Sequence, residues 1–323
     1  MTNFQVYKKT LSFSLVGFLV DLLSLLLFAG CIIGGFFIGN AINDKGIIGL
    51  VVGLLVGIVA LVLIKLFVSN VLKAGQIAMM TQGVTEGKLP DNVLHEGRKA
   101  VKERFASITA FFLVTRLIKG AFRQIGRTIN KIGTAVGGDT GNAITSAIDT
   151  GIQILVGFLC DCCLGWVFYR KNVKTSTAAC EGAAIFFRNG KTLIRNIGRI
   201  FGMGFIFLVI IGGGLFGIFY GISTMFPNLY NSLSKELIET FTRIEYSYES
   251  WMVDPKNLML IVSGVFAIML WAMIHNVFIR PFILTGVLKN FTAAGIKNMP
   301  TEEDFATLNK KSTKFAKLSA VNS

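Results

Sequence analysis

Three ionisable side chains sit within long apolar runs of this chain: Asp21, Asp161 and His275. An ionised group at membrane depth is costly, and it usually faces a bundle interior, a partner or an ion path. Asp21 therefore reads either as a cation or proton site or as an interhelical hydrogen-bond partner. Asp161 has the same two readings, with an interfacial position as a third. His275, followed by Asn276, reads first as a packing histidine and alternatively as a proton relay. Cys160-Asp161-Cys162-Cys163 offers soft ligands, but no His/Cys partners complete a metal-ligand spacing, so buried thiols are expected and no metal. The chain has no P-loop, dinucleotide fingerprint, zinc-protease helix or nucleophile elbow, and only two histidines, His95 and His275. We expect no enzyme, no catalytic residue and no cofactor.

A second chemistry is carried by cations. Arg116, Lys119, Arg123, Arg127 and Lys131 recur at three- and four-residue steps, with Leu117, Ile118, Ala121, Phe122, Ile125, Ile129 and Ile132 opposite. Such a helix lies in a membrane interface, its apolar face toward acyl chains and its cations among anionic headgroups. Arg188, Lys191, Arg195 and Arg199 form a second stripe that aligns with the first at a constant offset, RQIGR against RNIGR. Convergence on one amphipathic pattern and internal duplication both account for the match. These nine residues are the expected lipid-headgroup contacts.

The elements that position these groups are apolar spans. The 323 residues are 53% hydrophobic and only 15% charged, against roughly 25% charged in soluble domains. The fold class expected is an all-α integral membrane protein, a polytopic helical bundle with two membrane hairpins and interfacial amphipathic helices. Leu11–Ile38 and Ile47–Val68 form the first hairpin across Asn40–Gly46, and Ile200–Met225 and Leu258–Ile279 form the second. Gly49, Gly53 and Gly57, and likewise Gly213, Gly217 and Gly221, repeat every fourth residue, so each set makes a glycine-zipper face for close helix packing. That packing reads first as intrachain, with a homo-oligomeric pore as the alternative. Lys8 and Lys9 before an apolar run resemble a signal peptide, but the run continues without a small-residue cleavage site, so it reads as a retained span.

The domain organisation follows: 1–72 an N-terminal transmembrane hairpin; 73–199 a basic cytoplasmic or interfacial helical region; 200–281 a C-terminal transmembrane hairpin with an acidic outward loop, 227–257; 282–323 a cytoplasmic tail. Positive charge flanking the spans places the protein in the cell membrane as a multi-pass chain with both termini cytoplasmic. Between Lys73 and Arg199 the crossings must then be even in number. The segments 105–118 and 152–169 either cross as a pair or stay shallow or re-entrant, and the second arrangement keeps the first basic stripe inside. The tail is expected to end in a helix N-capped by Thr301.

From Cys160 onward the chain resembles the C-terminal region of the choline transporter-like family. The likeness is carried by the cysteine cluster running into Leu164-Gly165-Trp166, by Tyr169-Arg170-Lys171-Asn172, by Arg195-Asn196-Ile197-Gly198-Arg199, and by two closing spans before a basic tail. The basic helix upstream also resembles the cytoplasmic helix that precedes this region in the family. The resemblance implies a related half-bundle that binds choline-like or lipid headgroups. The family's large outward domain has no counterpart here, and no substrate residue maps onto a matched position.

The net charge of +14 is clustered beside the apolar segments, which fits anionic lipid rather than nucleic acid. The partners expected are the anionic lipids of the inner leaflet and a homo-oligomer or larger membrane complex, because four spans enclose little volume alone. The function expected first is transport or permeation of a small solute or lipid-like molecule. The alternative is a non-transporting membrane subunit or scaffold that binds anionic lipid and recruits protein partners.

Overall fold

The structure, a computed structural model, describes residues 1–43, 46–105, 115–120, 142–186, 188–189, 206–243, 245–313 and 315–316. Among these the regular structure is all helical, 88% of residues, without strands. In chain order the helices are α1 (Asn3–Lys9), α2 (Leu11–Asn43), α3 (Gly46–Ile64), α4 (Asn70–Thr85), α5 (Val93–Arg104), α6 (Asn142–Tyr169), α7 (175–186), α8 (Gly213–Thr224), α9 (Pro227–Arg243), α10 (Ser250–Val253), α11 (Pro255–Ile274), α12 (Arg280–Lys297) and α13 (Glu302–Lys311). Three π-helical turns, Lys65–Ser69, Leu208–Gly212 and His275–Ile279, continue directly into α4, α8 and α12.

Among the described residues three helices are long and apolar enough to cross a membrane: Leu11–Ile42, Ile48–Thr85 and Pro255–Lys297. The span expected at Ile200–Met225 is described from residue 206 onward. Its helical part, Leu208–Thr224, bends by 84° into Pro227–Arg243, and the two count together as a fourth, broken candidate. Pro227 supplies the bend, since its ring removes the amide hydrogen bond that a straight helix needs.

Chain contacts divide the protein into two units, Met1–Gly198 with Arg280–Ser323, and Arg199–Ile279. In the first unit α2 and α3 form a hairpin whose apolar side chains are mostly exposed, from Leu26, Ile33 and Phe37 on one helix to Val52, Leu55 and Val59 on the other. A helix apolar on all sides, with no buried core around it, is suited to lipid. The two helices meet through glycine. A Cβ on Gly49 would overlap the carbonyl oxygen of Gly35, one on Gly53 would overlap that of Cys31, and one on Gly57 would stand 2.7 Å from the Phe28 ring.

Beyond the first π-turn the same helix changes character. In α4, Leu72, Ala74, Ile77, Ala78, Met79 and Met80 are all buried, and α1, α2, α5, α6 and α12 pack around it. Gly75 and Gly97 let α4 and α5 touch, with the Phe13 ring against both. Gly87 breaks the chain after α4 with φ of 69°, a left-handed conformation that glycine adopts without a Cβ clash. Asn92 caps α5 through the His95 amide, and Thr301 with Asp304 forms a capping box at the start of α13, as its sequence predicts.

In the second unit α8 and α11 pack together. Ser223 Oγ shares hydrogen bonds with Tyr230 Oη at 2.8 Å and Ser263 Oγ at 3.0 Å, which satisfies the hydroxyls where the chain bends. Asp254 caps α11 ahead of Pro255. Gly213, Gly217 and Gly221, the second glycine set, have nothing among the described residues within 4 Å of an added Cβ. The two glycine sets therefore differ: one is closed against its own hairpin, and the other is open among the described residues.

Candidate functional site

Asp161 lies near the middle of the apolar stretch Val156–Tyr169 of α6, where almost every side chain is buried. Lys73 from α4 places Nζ 2.8 Å from Asp161 Oδ1, and Arg280 at the start of α12 places Nη2 2.8 Å from Oδ2. One carboxylate thus joins three helices. Its side chain is 9% exposed, against 38% for Lys73 and 25% for Arg280. A buried carboxylate left alone would be strongly unfavourable, whereas a pair of charge-assisted hydrogen bonds offsets much of its desolvation.

The Arg280 guanidinium is held on further sides. Its Cζ sits 5.2 Å from the centroid of the Phe158 ring, a cation–π contact. Gly157 keeps space open beside it, since a Cβ there would stand 3.0 Å from Nη2. Arg280 Nε is buried and has no hydrogen-bond acceptor among the described residues. Lys119, on the helical stretch 115–120, is exposed and close enough to interact electrostatically with both Lys73 and Cys160.

Asp21 occupies a different place. Its Oδ1 accepts a hydrogen bond of 3.3 Å from Ser69 Oγ, at the end of the first π-turn, and Lys65 contributes a favourable charge nearby. About 22 residues, or about 33 Å of helix, separate Asp21 from Asn43 at the hairpin turn. A hydrocarbon core of about 30 Å measured from the turn ends near this Asp21–Ser69 level. His275 begins the third π-turn, its ring stacked on Trp271 with centroids 5.0 Å apart. Asp161 is thus paired with Lys73 and Arg280, Asp21 faces Ser69, and His275 stacks on Trp271.

Of the lipid-headgroup candidates, Arg116 and Lys119 are exposed. Arg188 instead donates to Asp304 Oδ2 at 3.1 Å and to the Asn298 carbonyl at 2.6 Å, and so fastens the end of α12 to α13. Arg123, Arg127, Lys131, Lys191, Arg195 and Arg199 lie outside the described residues. The first segment weighed as a crossing, 105–118, is described only at its ends. The second, 152–169, is part of the continuous helix α6, whose Val156–Phe168 portion is buried within its unit.

Of the residues that carry the family resemblance, Cys160–Tyr169 close α6, and Arg195–Arg199 lie outside the described residues. Trp166 is fully buried and donates its indole N–H to Glu181 Oε2 at 2.8 Å; Arg170 donates to the same carboxylate, Nε to Oε2 at 3.0 Å and Nη2 to Oε1 at 3.2 Å. Arg104 caps the end of α6 by donating to the carbonyls of Arg170 and Lys171. Burial pushes the Cys180 thiol up to about 12, and the adjacent Glu181 carboxylate adds to the rise. The thiol therefore stays protonated at neutral pH. Among the described residues no group of three His, Cys, Asp or Glu side chains is arranged for a metal ion.

Lys73 and Arg280 were not singled out in the sequence. Each stands just past a long apolar run, a position that reads as a snorkelling or topology-setting cation, and nothing local shows that both reach the same carboxylate. Compared with protein-family models, curated proteins and solved structures, the chain matches none.

Proposed function

We propose that this protein is a membrane-anchored platform: the α2–α3 hairpin holds a helical base against the cytoplasmic leaflet, where the base engages anionic lipid and presents itself to protein partners. The observation that carries this reading is the change along one helix. From Ile48 to Val68 the helix exposes apolar side chains, and from Leu72 to Gly83 it is the centre of a packed core. A helix that is lipid-facing over one length and core-forming over the next joins an anchor to a folded body without a flexible linker. The packing of both α1 and the tail helix α12 within this unit supports termini on one side, and the surplus of cations supports the cytoplasmic side.

Hydrogen exchange in nanodiscs tests the platform. In discs containing phosphatidylglycerol, amides of α5 and of 115–120 are expected to exchange more slowly than in phosphatidylcholine discs. The difference is expected to vanish at about 1 M salt, where the screening length falls to about 3 Å. Identical exchange in the two lipids would remove lipid engagement by the base.

Transport is the second reading, and the Asp21–Ser69 pair favours it. Ser69 ends a π-turn, and such turns recur at functional sites because they loosen the backbone hydrogen-bond ladder. If Asp21 serves a cation or proton path, Asp21→Asn abolishes uptake into reconstituted liposomes while insertion is retained. Equal uptake by the wild type and the variant excludes Asp21 from any path.

A further inference from the structure

Lys73 and Arg280 both pair with the Asp161 carboxylate, and Lys119 lies within electrostatic range of Lys73, so among the described residues three cations stand against one carboxylate. Asp161 uses one oxygen for each of Lys73 and Arg280. It thereby fixes both cations while neutralising only one unit of charge. Cations within mutual reach repel, and a structure that holds them together without a second anion leaves that repulsion uncompensated. Among the described residues the donors left over are the remaining protons of the Lys73 ammonium and the exposed Lys119 ammonium, with Arg280 Nε buried behind them and also without an acceptor. Among the described residues Lys119 has no ion-pair partner.

Depth narrows the chemistry. Val68 is the last exposed apolar residue before α4 becomes buried, and Lys73 follows about 7 Å further along the helix axis. The headgroup layer on each side of a bilayer is about 5–8 Å thick, so the ammonium stands where lipid phosphates lie if Val68 marks the hydrocarbon edge. Phe158 under the guanidinium and Gly157 beside it keep Arg280 oriented rather than free to follow solvent. Phosphate oxygens suit this donor set: ammonium groups bind them as point charges and the guanidinium through directed N–H bonds.

We propose that Lys73, Lys119 and Arg280 form a discrete binding site for one phosphate group, that of an anionic lipid headgroup, with Asp161 as the residue that positions two of the three cations. The site deepens the platform reading, which needs only diffuse attraction to the leaflet, by adding one saturable contact.

The test is native mass spectrometry of the full chain in a neutral detergent, titrated with short-chain phosphatidic acid, and in a parallel arm with inorganic phosphate. The wild type is expected to retain one lipid saturably. Lys119→Gln leaves the Asp161 pairs untouched, so its fold is preserved, and it is expected to weaken retention about tenfold, the loss of one charge-assisted contact. Lys73→Gln is expected to do the same, and Arg116→Gln, on the same stretch but outside the cluster, to change nothing. Inorganic phosphate that competes at concentrations similar to the lipid's keeps the site but reassigns its ligand to a soluble phosphate. Retention that is unsaturable, or equal in Lys119→Gln and the wild type, overturns the site. Such a result alongside lipid-dependent hydrogen exchange leaves the platform standing, and the two failures are thereby separated.

Discussion

Replacing Asp161 with alanine is expected to lower stability by about 3 kcal/mol, because removing one member of a buried ion cluster strands its partners. The estimate sits at the low end of the usual range because Lys73 and Arg280 keep partial access to solvent, at 38% and 25% exposure. For a body of this size it corresponds to a fall in Tm of about 6–12 °C. Tryptophan-fluorescence melting in detergent reads it directly, since Trp166 is fully buried in the same unit. Asp161→Asn is expected to lose nearly as much, as it keeps the shape but not the charge. Adding Lys73→Met to Asp161→Ala is expected to recover part of the loss, because one stranded cation disappears with its partner. A melting curve for Asp161→Ala that superimposes on the wild type would show that the triad contributes nothing to holding α4, α6 and α12 together.

The second large effect concerns the hairpin glycines. In Gly53→Ala the new methyl meets the Cys31 carbonyl, and in Gly49→Ala it meets that of Gly35; both obstacles are backbone, which cannot turn aside. The helices must separate along the hairpin, losing the close contact that substitutes for a hydrophobic driving force between helices in lipid. Both variants are expected to melt well below the wild type. Gly57→Ala meets only side-chain atoms, the Phe28 ring and Cys31 Cβ, and is expected to be milder. Gly217→Ala, with no described neighbour within 4 Å, is expected to be neutral or to gain up to about 1 kcal/mol from helix propensity. Equal melting of Gly53→Ala and Gly217→Ala would mean that α2 and α3 do not rely on glycine for their approach.

The contrast between these two sets of residues shows what a sequence reveals here and what it hides. A run such as GLVVGLLVGIVALVLI announces a lipid-facing helix by composition alone, and its glycines announce a packing face by period. The neighbouring hairpin arm follows because the connection is too short for anything but an antiparallel partner. The Thr301 cap was legible for the same reason, since a capping box is contained within four residues. The cluster around Asp161 is of another kind. Lys73 and Arg280 come from helices far apart in the chain, and an ion pair between distant elements leaves no period to read. Arg188 illustrates the same limit: it falls on the cationic stripe by spacing, yet the structure joins it to Asp304 and the Asn298 carbonyl. Spacing shows which face a side chain takes, and only the fold shows what waits there.

The burial of α4 was hidden for a subtler reason. Read on from the span, residues 70–85 look like a fading apolar signal interrupted by Asn70, Lys73, Gln76 and Gln82. The buried Gln76 reveals the logic, since its amide donates to Ser14 Oγ at 2.9 Å and to the Thr10 carbonyl at 3.3 Å. Polar residues with partners belong inside a protein core, whereas in lipid the same amide would have had none.

The π-turn at Lys65–Ser69 has a geometric consequence for such a helix. An α-helix advances about 100° per residue, so the extra residue accommodated in a π-turn resets the azimuth of everything that follows. The lipid-facing length and the core-forming length are thereby uncoupled in phase, like two gears joined by a clutch. Each can present whichever side chains its own surroundings demand. A stripe drawn along α3 and extrapolated into α4 would point Lys73 away from the direction the π-turn gives it. The small dislocation in the helix is what allows an anchor composed for lipid and a core composed for protein to share one continuous rod.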